Sequence, residues 1–331
     1  MFAFFEKTSK RNLRIQFTAA KVDAIKARLS VPAFAAPMFI ISGPDLTIEA
    51  CKAGVIGAFP TLNARPVAVL EEWFQHINAE LAEAEAANPG KVAPWAANLI
   101  VHKNNRRFDP DFELIMKYQP EIVITSLGSP ARVADEIHNY GGLVFSDVNS
   151  VEFAHKAAER GADGLILIAE GAGGHTGFMP AEQFIAEVRE WYDGPLIVGG
   201  AISTGQDIRR VIDAGADFAY MGTRFIATAE CQAVPDYKQM VVDATADDIV
   251  LTPYFTGVPA HFLLPSIRDA GIDPDDLANK KGQLGFSADG EEQESDLSAW
   301  KDIWSAGKGV DRINDIPTAA ELIARLQDEY A

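Results

Sequence analysis

The chain has 331 residues, of which 48% are hydrophobic and 23% charged, a balance that fills a core and excludes general disorder. Its 29 Lys and Arg against 47 Asp and Glu give a formal charge of −18, which repels nucleic-acid phosphates and anionic bilayers and argues against both as partners. No apolar run approaches the roughly 18 residues of a membrane span, and Met1 to Phe5 is too short for the apolar core of a signal peptide, so a cytoplasmic location is expected. Cys51 and Cys231 are too few for a disulfide scaffold or a cysteine-based metal site and read as small buried hydrophobes. No pair of His, Cys or acidic residues has ligand spacing on one element, so no metal is expected.

In chain order, short apolar or β-branched runs bounded by turn residues predict strands at 33–41, 54–60, 95–101, 122–128, 143–148, 164–169, 195–200 and 218–223. Amphipathic stretches separate them. After Pro66, the residues Leu70, Phe74, Ile77 and Leu81 recur at helical spacing, and Asn88-Pro89-Gly90 stops the run. Arg160-Gly161-Ala162-Asp163 and Ala214-Gly215-Ala216-Asp217 each place a glycine at a helix C-terminus just before a strand. Eight strands at intervals of roughly 26 residues, several apolar on both faces, predict an α/β fold, a (β/α)8 TIM barrel over residues 1–229. An open doubly wound sheet shows the same alternation, because counting strands does not establish closure.

Beyond residue 229 the βα rhythm stops. Residues 230–302, with their clusters of Pro, Asp and Gly, read as an added, mainly helical segment on the substrate side. Residues 303–331 read as a C-terminal piece packing back on the barrel, with Leu322, Ile323 and Leu326 at helical spacing after Pro317. Eight acids between 273 and 300, against Lys280 and Lys281, read as a solvated face or loop.

In a barrel of this kind the chemistry sits at the C-terminal ends of the strands. Strand six is followed by Glu170-Gly171-Ala172-Gly173-Gly174-His175-Thr176-Gly177, in which glycines free the backbone to approach a ligand around a titratable ring. Strands seven and eight end in Gly199-Gly200-Ala201-Ile202-Ser203-Thr204-Gly205 and Met221-Gly222-Thr223-Arg224. Loops there, with a helix N-terminus beyond, are the usual phosphate site of a barrel. A phosphate-bearing ligand is expected, and Arg224 either adds charge to that site or faces a surface acid. Asn98, alone in an apolar strand, needs hydrogen-bond partners and is either a ligand contact or part of a structural network. His102 ends the same strand and either reaches the mouth or serves the surface. His261, in the added segment, is a candidate for the pocket border, whereas His76, His138 and His155 fall on helices away from the mouth.

Together with Ala36-Pro37-Met38, Ala97-Asn98-Leu99, Ala214 to Asp217, Gly222-Thr223-Arg224-Phe225 and the closing Trp304-Ser305-Ala306-Gly307-Lys308-Gly309-Val310, these loops make the chain resemble the nitronate monooxygenase family, formerly the 2-nitropropane dioxygenases, across nearly its whole length. The resemblance implies an FMN-dependent barrel. It implies Met38 and Asn98 beside the isoalloxazine, Ala172, Gly173 and Gly174 along the flavin and ribityl chain, and Gly200, Gly222 and Thr223 at the phosphate. His175 would be the catalytic base. The implied reaction is oxidation of a small alkyl nitronate or nitroalkane with dioxygen to a carbonyl compound and nitrite. Ile41-Ser42-Gly43-Pro44-Asp45 departs from the family's more glycine-rich turn near the flavin. The same superfamily holds NAD(P)H-dependent quinone and enoyl-thioester reductases with the Gly-Gly-His motif, which makes a flavin reductase the alternative. A sugar-phosphate lyase or isomerase would use the same phosphate loops, but no strand ends in a lysine able to form a Schiff base.

Overall fold

Runs of four to six apolar residues cannot leave either face in water, so they pair with one another and take helices on the outside. In the computed structural model, which describes residues 2–278 and 300–331 (2–12 by backbone alone), these runs form β1 (Ala33–Ala35), β2 (Ile56–Pro60), β3 (Trp95–Ile100), β4 (Ile122–Ser126), β5 (Leu143–Val148), β6 (Gly164–Ile168), β8 (Leu196–Gly199) and β9 (Phe218–Met221). Parallel pairing runs from β1 through β6 to β8 and β9, and β9 returns to β1 with Phe34 opposite Tyr220. The barrel is closed, which disposes of the open sheet. The first strand is shorter than expected: Pro37 has no N–H to donate, Met38 N donates to Ser42 Oγ, and Ile40 takes a φ of 71°, so the chain turns after Ala36.

Between the strands lie α2 (Pro44–Lys52), α3 (Val67–Ala87), α4 (Phe108–Tyr118), α5 (Ala134–Asn139), α6 (Val151–Glu159), α7 (Ala181–Arg189), α8 (Gly205–Asp213) and the single turn α9 (Thr223–Ile226). Leu70, Phe74, Ile77 and Leu81 of α3 are all buried, as their spacing requires, and the helix ends at Asn88. Inside the barrel, Phe34 meets Phe218 edge-on at 5.5 Å and Phe145 at 6.2 Å. Alternate strand residues therefore fill the interior with side chains, as a closed barrel of eight strands requires.

The N-terminal end of the barrel is covered by a helix that the sequence reading does not contain, α1 (Phe2–Lys26). Val22 and Ile25 join the interior cluster, while Arg14, Lys26 and Arg28 bind Asp163, Asp217 and Glu121, each just ahead of a strand. The two aspartates close the repeated tetrads, which gives those repeats a second role besides the helix-ending glycine. Asp163 Oδ2 accepts from Val144 N at 2.8 Å, and Asp217 Oδ2 accepts from Leu196 N at 2.9 Å, so each carboxylate pins the start of a neighbouring strand. Burial pushes the Asp163 carboxyl up, but hydrogen bonds from His138 and Arg14 outweigh it and hold the group below its ordinary value. A depressed carboxyl stabilises the fold above its unfolded value near 4, and the contribution fades as pH falls through the lower native value. Asp163→Ala is expected to cost about 3 kcal/mol, because Arg14 and His138 lose their common partner. A thermal melt at pH 7 showing no fall in Tm would refute the clamp.

After β9 the chain forms α10 (Pro235–Asp243), the antiparallel pair β10 (Ile249–Thr252) and β11 (Ala260–Leu263), and α11 (Leu264–Asp269). The added segment thus contains a hairpin as well as helices. β11 also pairs with the two-residue β7 (Gly174–His175), which carries the glycine loop of strand six. Of the acidic run at 273–300, the part at 279–299 lies outside the described residues. At the end, α12 (Ala319–Tyr330) buries Leu322, Ile323 and Leu326 against the outer layer and lies along α8 and α2.

Candidate active site

The strand ends bring the glycine loop of β6, the ends of β8 and β9, and the β10–β11 hairpin to one mouth. Gly174 N donates to Ser305 Oγ at 2.7 Å, and Ser305 Oγ donates on to His261 O at 2.7 Å. Lys308 N binds Gly171 O, and Gly307 N donates to Thr223 Oγ1 at 2.8 Å. The segment Ser305 to Lys308 therefore ties the loop after β6 to the end of β9. A Cβ on Gly173 would lie 2.8 Å from Gly307 N, so this glycine is already required by the chain packed on it.

His175 projects from β7 against the added segment. Its Nε2 lies 3.3 Å from Thr256 Oγ1, and its ring meets Trp300 edge-on at 5.8 Å. The Thr256 hydroxyl donates its hydrogen to Val258 O at 2.8 Å, so toward the imidazole it acts as acceptor and selects the tautomer with the proton on Nε2. Burial lowers the pKa of this ring from its ordinary value, which keeps the imidazole neutral. Thr256→Val is expected to spread the imidazole over both tautomers and reduce kcat several-fold, with Thr256→Ser restoring it. Equal kcat in the Val variant would remove Thr256 from the site.

His261 is 3% exposed, and Nδ1 lies 2.7 Å from the carbonyl of Ala172. A carbonyl only accepts, so the proton sits on Nδ1 and the ring supports the glycine loop from behind. Burial lowers its pKa as well. His261 borders a cavity of about 190 Å³ with Glu170, Phe178 and Lys308, too small for a dinucleotide or flavin. His102 is half-buried and takes part in its own turn, accepting from Asn104 N at 3.3 Å. His138 bonds Asp163, and His155 stacks on Trp191.

Arg224 is 2% exposed and donates to Ala227 O and to Asp315 Oδ1 at 2.9 Å. It therefore faces an acid and leaves the phosphate loops. The N-terminus of α8 is also committed: Ser203 N and Thr204 N donate to Asp207 Oδ2, and Gly205 N donates to Glu329 Oε2 at 2.7 Å. Protein carboxylates already satisfy those amides, so the helix end expected to face a phosphate is not α8. The following turn, α9, starts at Gly222 with no side-chain cap.

Gly222 tests whether this mouth fits a flavin. Its φ of −98° suits any residue, and an added Cβ would stand 3.8 Å from Met38 Cγ and Sδ in ordinary contact. Nothing among the described residues requires glycine there, whereas a ligand lying between Met38 and the β9 end would. Gly200 differs, since its φ of 149° and the Glu170 O only 2.7 Å from its Cβ position demand glycine for internal reasons.

Deeper in the mouth, Asn98 is 6% exposed and donates through Nδ2 to Ile124 O at 3.2 Å and Ser126 Oγ at 2.7 Å. The network reading of Asn98 is met, and Oδ1 is left as its acceptor. Ser126 Oγ in turn donates to Asp147 Oδ2. Asp147 Oδ1 and the Tyr220 hydroxyl are buried and have no partner among the described residues, a cost of roughly 1–3 kcal/mol each unless a ligand supplies one. The donors, the acceptor and the glycine gap suit a polar planar group bearing a phosphate. Asp147, Ser126 and Tyr220 are absent from the sequence candidates, although the signal that marks Asn98, a polar side chain in an apolar strand, is present at each of them.

The closed parallel barrel, with polar groups and glycine loops gathered at its C-terminal mouth, defines a (β/α)8-barrel enzyme. The nitronate monooxygenase family model matches residues 24–329, so the chain belongs to that family and is a flavin-dependent oxidoreductase. Nitronate monooxygenase npaC of Metarhizium robertsii is 26% identical over 337 aligned positions, covering 89% of each chain. A protein named a monooxygenase from Mycobacterium tuberculosis is 25% identical over 177 residues, 53% of this chain and about half (47%) of its own length. Among solved structures, nitroalkane oxidase from Streptomyces ansochromogenes superimposes with a TM-score of 0.72 at 21% identity, over 93% of this chain and 97% of its own. FabK from Thermotoga maritima gives 0.72 at 20% identity, over 92% and 94%. Both share the fold.

Proposed function

We propose that the chain oxidises small alkyl nitronates, and nitroalkanes after deprotonation, with dioxygen to a carbonyl compound and nitrite, using FMN. The observation that carries this reading is the neutral, half-buried His175 held by β7 beside a mouth whose loops suit a phosphate-bearing flavin. Met38 and Asn98 flank the ring, Ala172, Gly173 and Gly174 follow the flavin and ribityl chain, and Gly200, Gly222 and Thr223 hold the phosphate. When bound, FMN supplies the electron transfer and the reaction with dioxygen. His175 removes the α-proton of a neutral nitroalkane, with Thr256 fixing the ring. Trp300 and the β10–β11 hairpin stand beside His175 and exclude bulk water from the proton transfer. The partners are thus a small molecule and dioxygen. Among the described residues no helix is long and apolar enough to cross a membrane.

Anaerobic mixing of the FMN-loaded protein with a preformed nitronate, and separately with NADH, tests the reading. Bleaching of the flavin absorbance by the nitronate, followed by nitrite on admitting air, is the expected result. Rapid bleaching by NADH with none by nitronates would assign the protein to the reductases.

A further inference from the structure

Three strands end in polar side chains that the reaction above leaves without a task. Asp147 is the penultimate residue of β5, Tyr220 that of β9, and Ser126 the last of β4. Tyr220 packs on Phe34 in the barrel interior, and Asp147 alternates with Phe145, which lines the same interior. We propose that Asp147 and Tyr220 donate hydrogen bonds to the acceptor atoms of the flavin's pyrimidine ring, that Asn98 Oδ1 accepts from its single N–H, and that Asp147 keeps its proton in the complex. The inference rests on the flavin reading.

The direction of each hydrogen bond follows from counting hydrogens. Asn98 Nδ2 donates to Ser126 Oγ, and Ser126 has one hydrogen, which goes to Asp147 Oδ2. Oδ2 is therefore the acceptor oxygen of the carboxyl, and its proton belongs on Oδ1, the oxygen buried without a partner. A protonated Asp147 thus holds an uncommitted donor near the C-terminal end of β5. The Tyr220 hydroxyl, also without a partner among the described residues, is a second donor. Apart from its single N–H, the pyrimidine edge of a flavin offers only acceptors, two carbonyl oxygens and ring nitrogens, against which an ionised carboxylate would repel. Asp147 has no ion pair among the described residues, and its polar neighbours are Ser126 and, in its field, Tyr220. Burial already pushes its carboxyl up to about 6, and a ring covering the mouth takes away the remaining water.

The test is FMN affinity, read by quenching of flavin fluorescence on titration of apoprotein between pH 5 and 8. If FMN binding fixes a proton on Asp147, the wild-type Kd rises by about tenfold per pH unit above the carboxyl's value in the free protein. Asp147→Asn replaces the acid hydroxyl by a permanent donor and should bind FMN with no such rise. The second ionisation of the FMN phosphate, near pH 6, acts on both proteins alike and drops out of the comparison. Asp147→Leu and Tyr220→Phe should each weaken binding at pH 6 by about tenfold, and the midpoint potential of bound flavin should fall in both, since donors stabilise the charge gained on reduction. Circular dichroism of the apoproteins reports folding, and the near-isosteric Asn and Phe variants decide the matter if the Leu variant does not fold. Parallel pH profiles for wild type and Asp147→Asn, with Kd unchanged in Tyr220→Phe, would overturn the proposal while leaving the flavin reading intact. Failure of the wild type itself to bind FMN would instead remove that reading.

Discussion

His175→Ala is expected to slow turnover of neutral nitroalkanes by roughly 10²–10⁴-fold, the usual contribution of a positioned general base. Preformed nitronates have already lost the proton that His175 removes, so they should still reduce the flavin at a substantial fraction of the wild-type rate. The split between the two substrates, rather than the loss alone, identifies the base. FMN content must be measured in parallel: His175 follows Gly174, whose amide is bound to Ser305, and a displaced loop would lower both rates through lost cofactor. Equal losses on both substrates at full occupancy would reduce His175 to a binding residue.

The acid limb of the same reaction follows from the lowered pKa of His175. A base must be neutral to act, and a ring that resists protonation stays neutral to lower pH. The kcat/KM of neutral nitroalkanes should therefore hold through pH 6.5, the ordinary value for histidine, and fall only below it. The same burial works against the fold in acid. An unfolded histidine takes up a proton below about pH 6.5 that the buried ring refuses, so this contribution to stability declines as pH falls from the unfolded value toward the native one.

What the sequence revealed divides along the range of the interactions. The eight strands are legible because both faces of a parallel strand must be apolar, and α3 because its apolar spacing is local. The glycine loops are legible as composition. By contrast, α1 owes its position to charges reaching far along the chain, with Arg14 and Asp163 separated by 149 positions, and no local pattern records such a pair. The β10–β11 hairpin has four-residue strands, and one of them pairs with only two residues of the glycine loop. His261 is legible in sequence as a candidate for the pocket border, but only the β11–β7 pairing brings it behind Ala172. The Asn98–Ser126–Asp147 chain joins three strands whose sequences read simply as apolar runs. Arg224 shows what local sequence leaves open: its place beside a phosphate loop fits two partners, and only the fold turns its guanidinium to the acid Asp315.

Gly222→Val should abolish tight FMN binding while leaving the fold intact, and it separates ligand space from internal packing more cleanly than any other glycine at the mouth. Gly200→Val would be ambiguous, because the substituted residue is forced to a φ of 149° and its Cβ meets Glu170 O at 2.7 Å, so the loop moves whether or not a phosphate binds there. Gly173→Val is ambiguous for the same reason, since Gly307 N stands 2.8 Å from the new Cβ. At Gly222 the first Cβ is accommodated 3.8 Å from Met38, and the branched methyls of valine enter the gap between Met38 and the amides that open α9. A phosphate or ribityl group drawn to those amides cannot share that volume. The expected result is a colourless protein as purified, with Kd for FMN raised by at least about 100-fold, the equivalent of losing one or two charge-assisted hydrogen bonds. Its far-ultraviolet circular dichroism and Tm should match the wild type to within a few degrees. Gly222→Ala, with only the tolerated Cβ, should retain much of the affinity, and this graded response distinguishes crowding from a change of backbone. Unaltered FMN affinity in the valine variant would place the phosphate away from the β9 end.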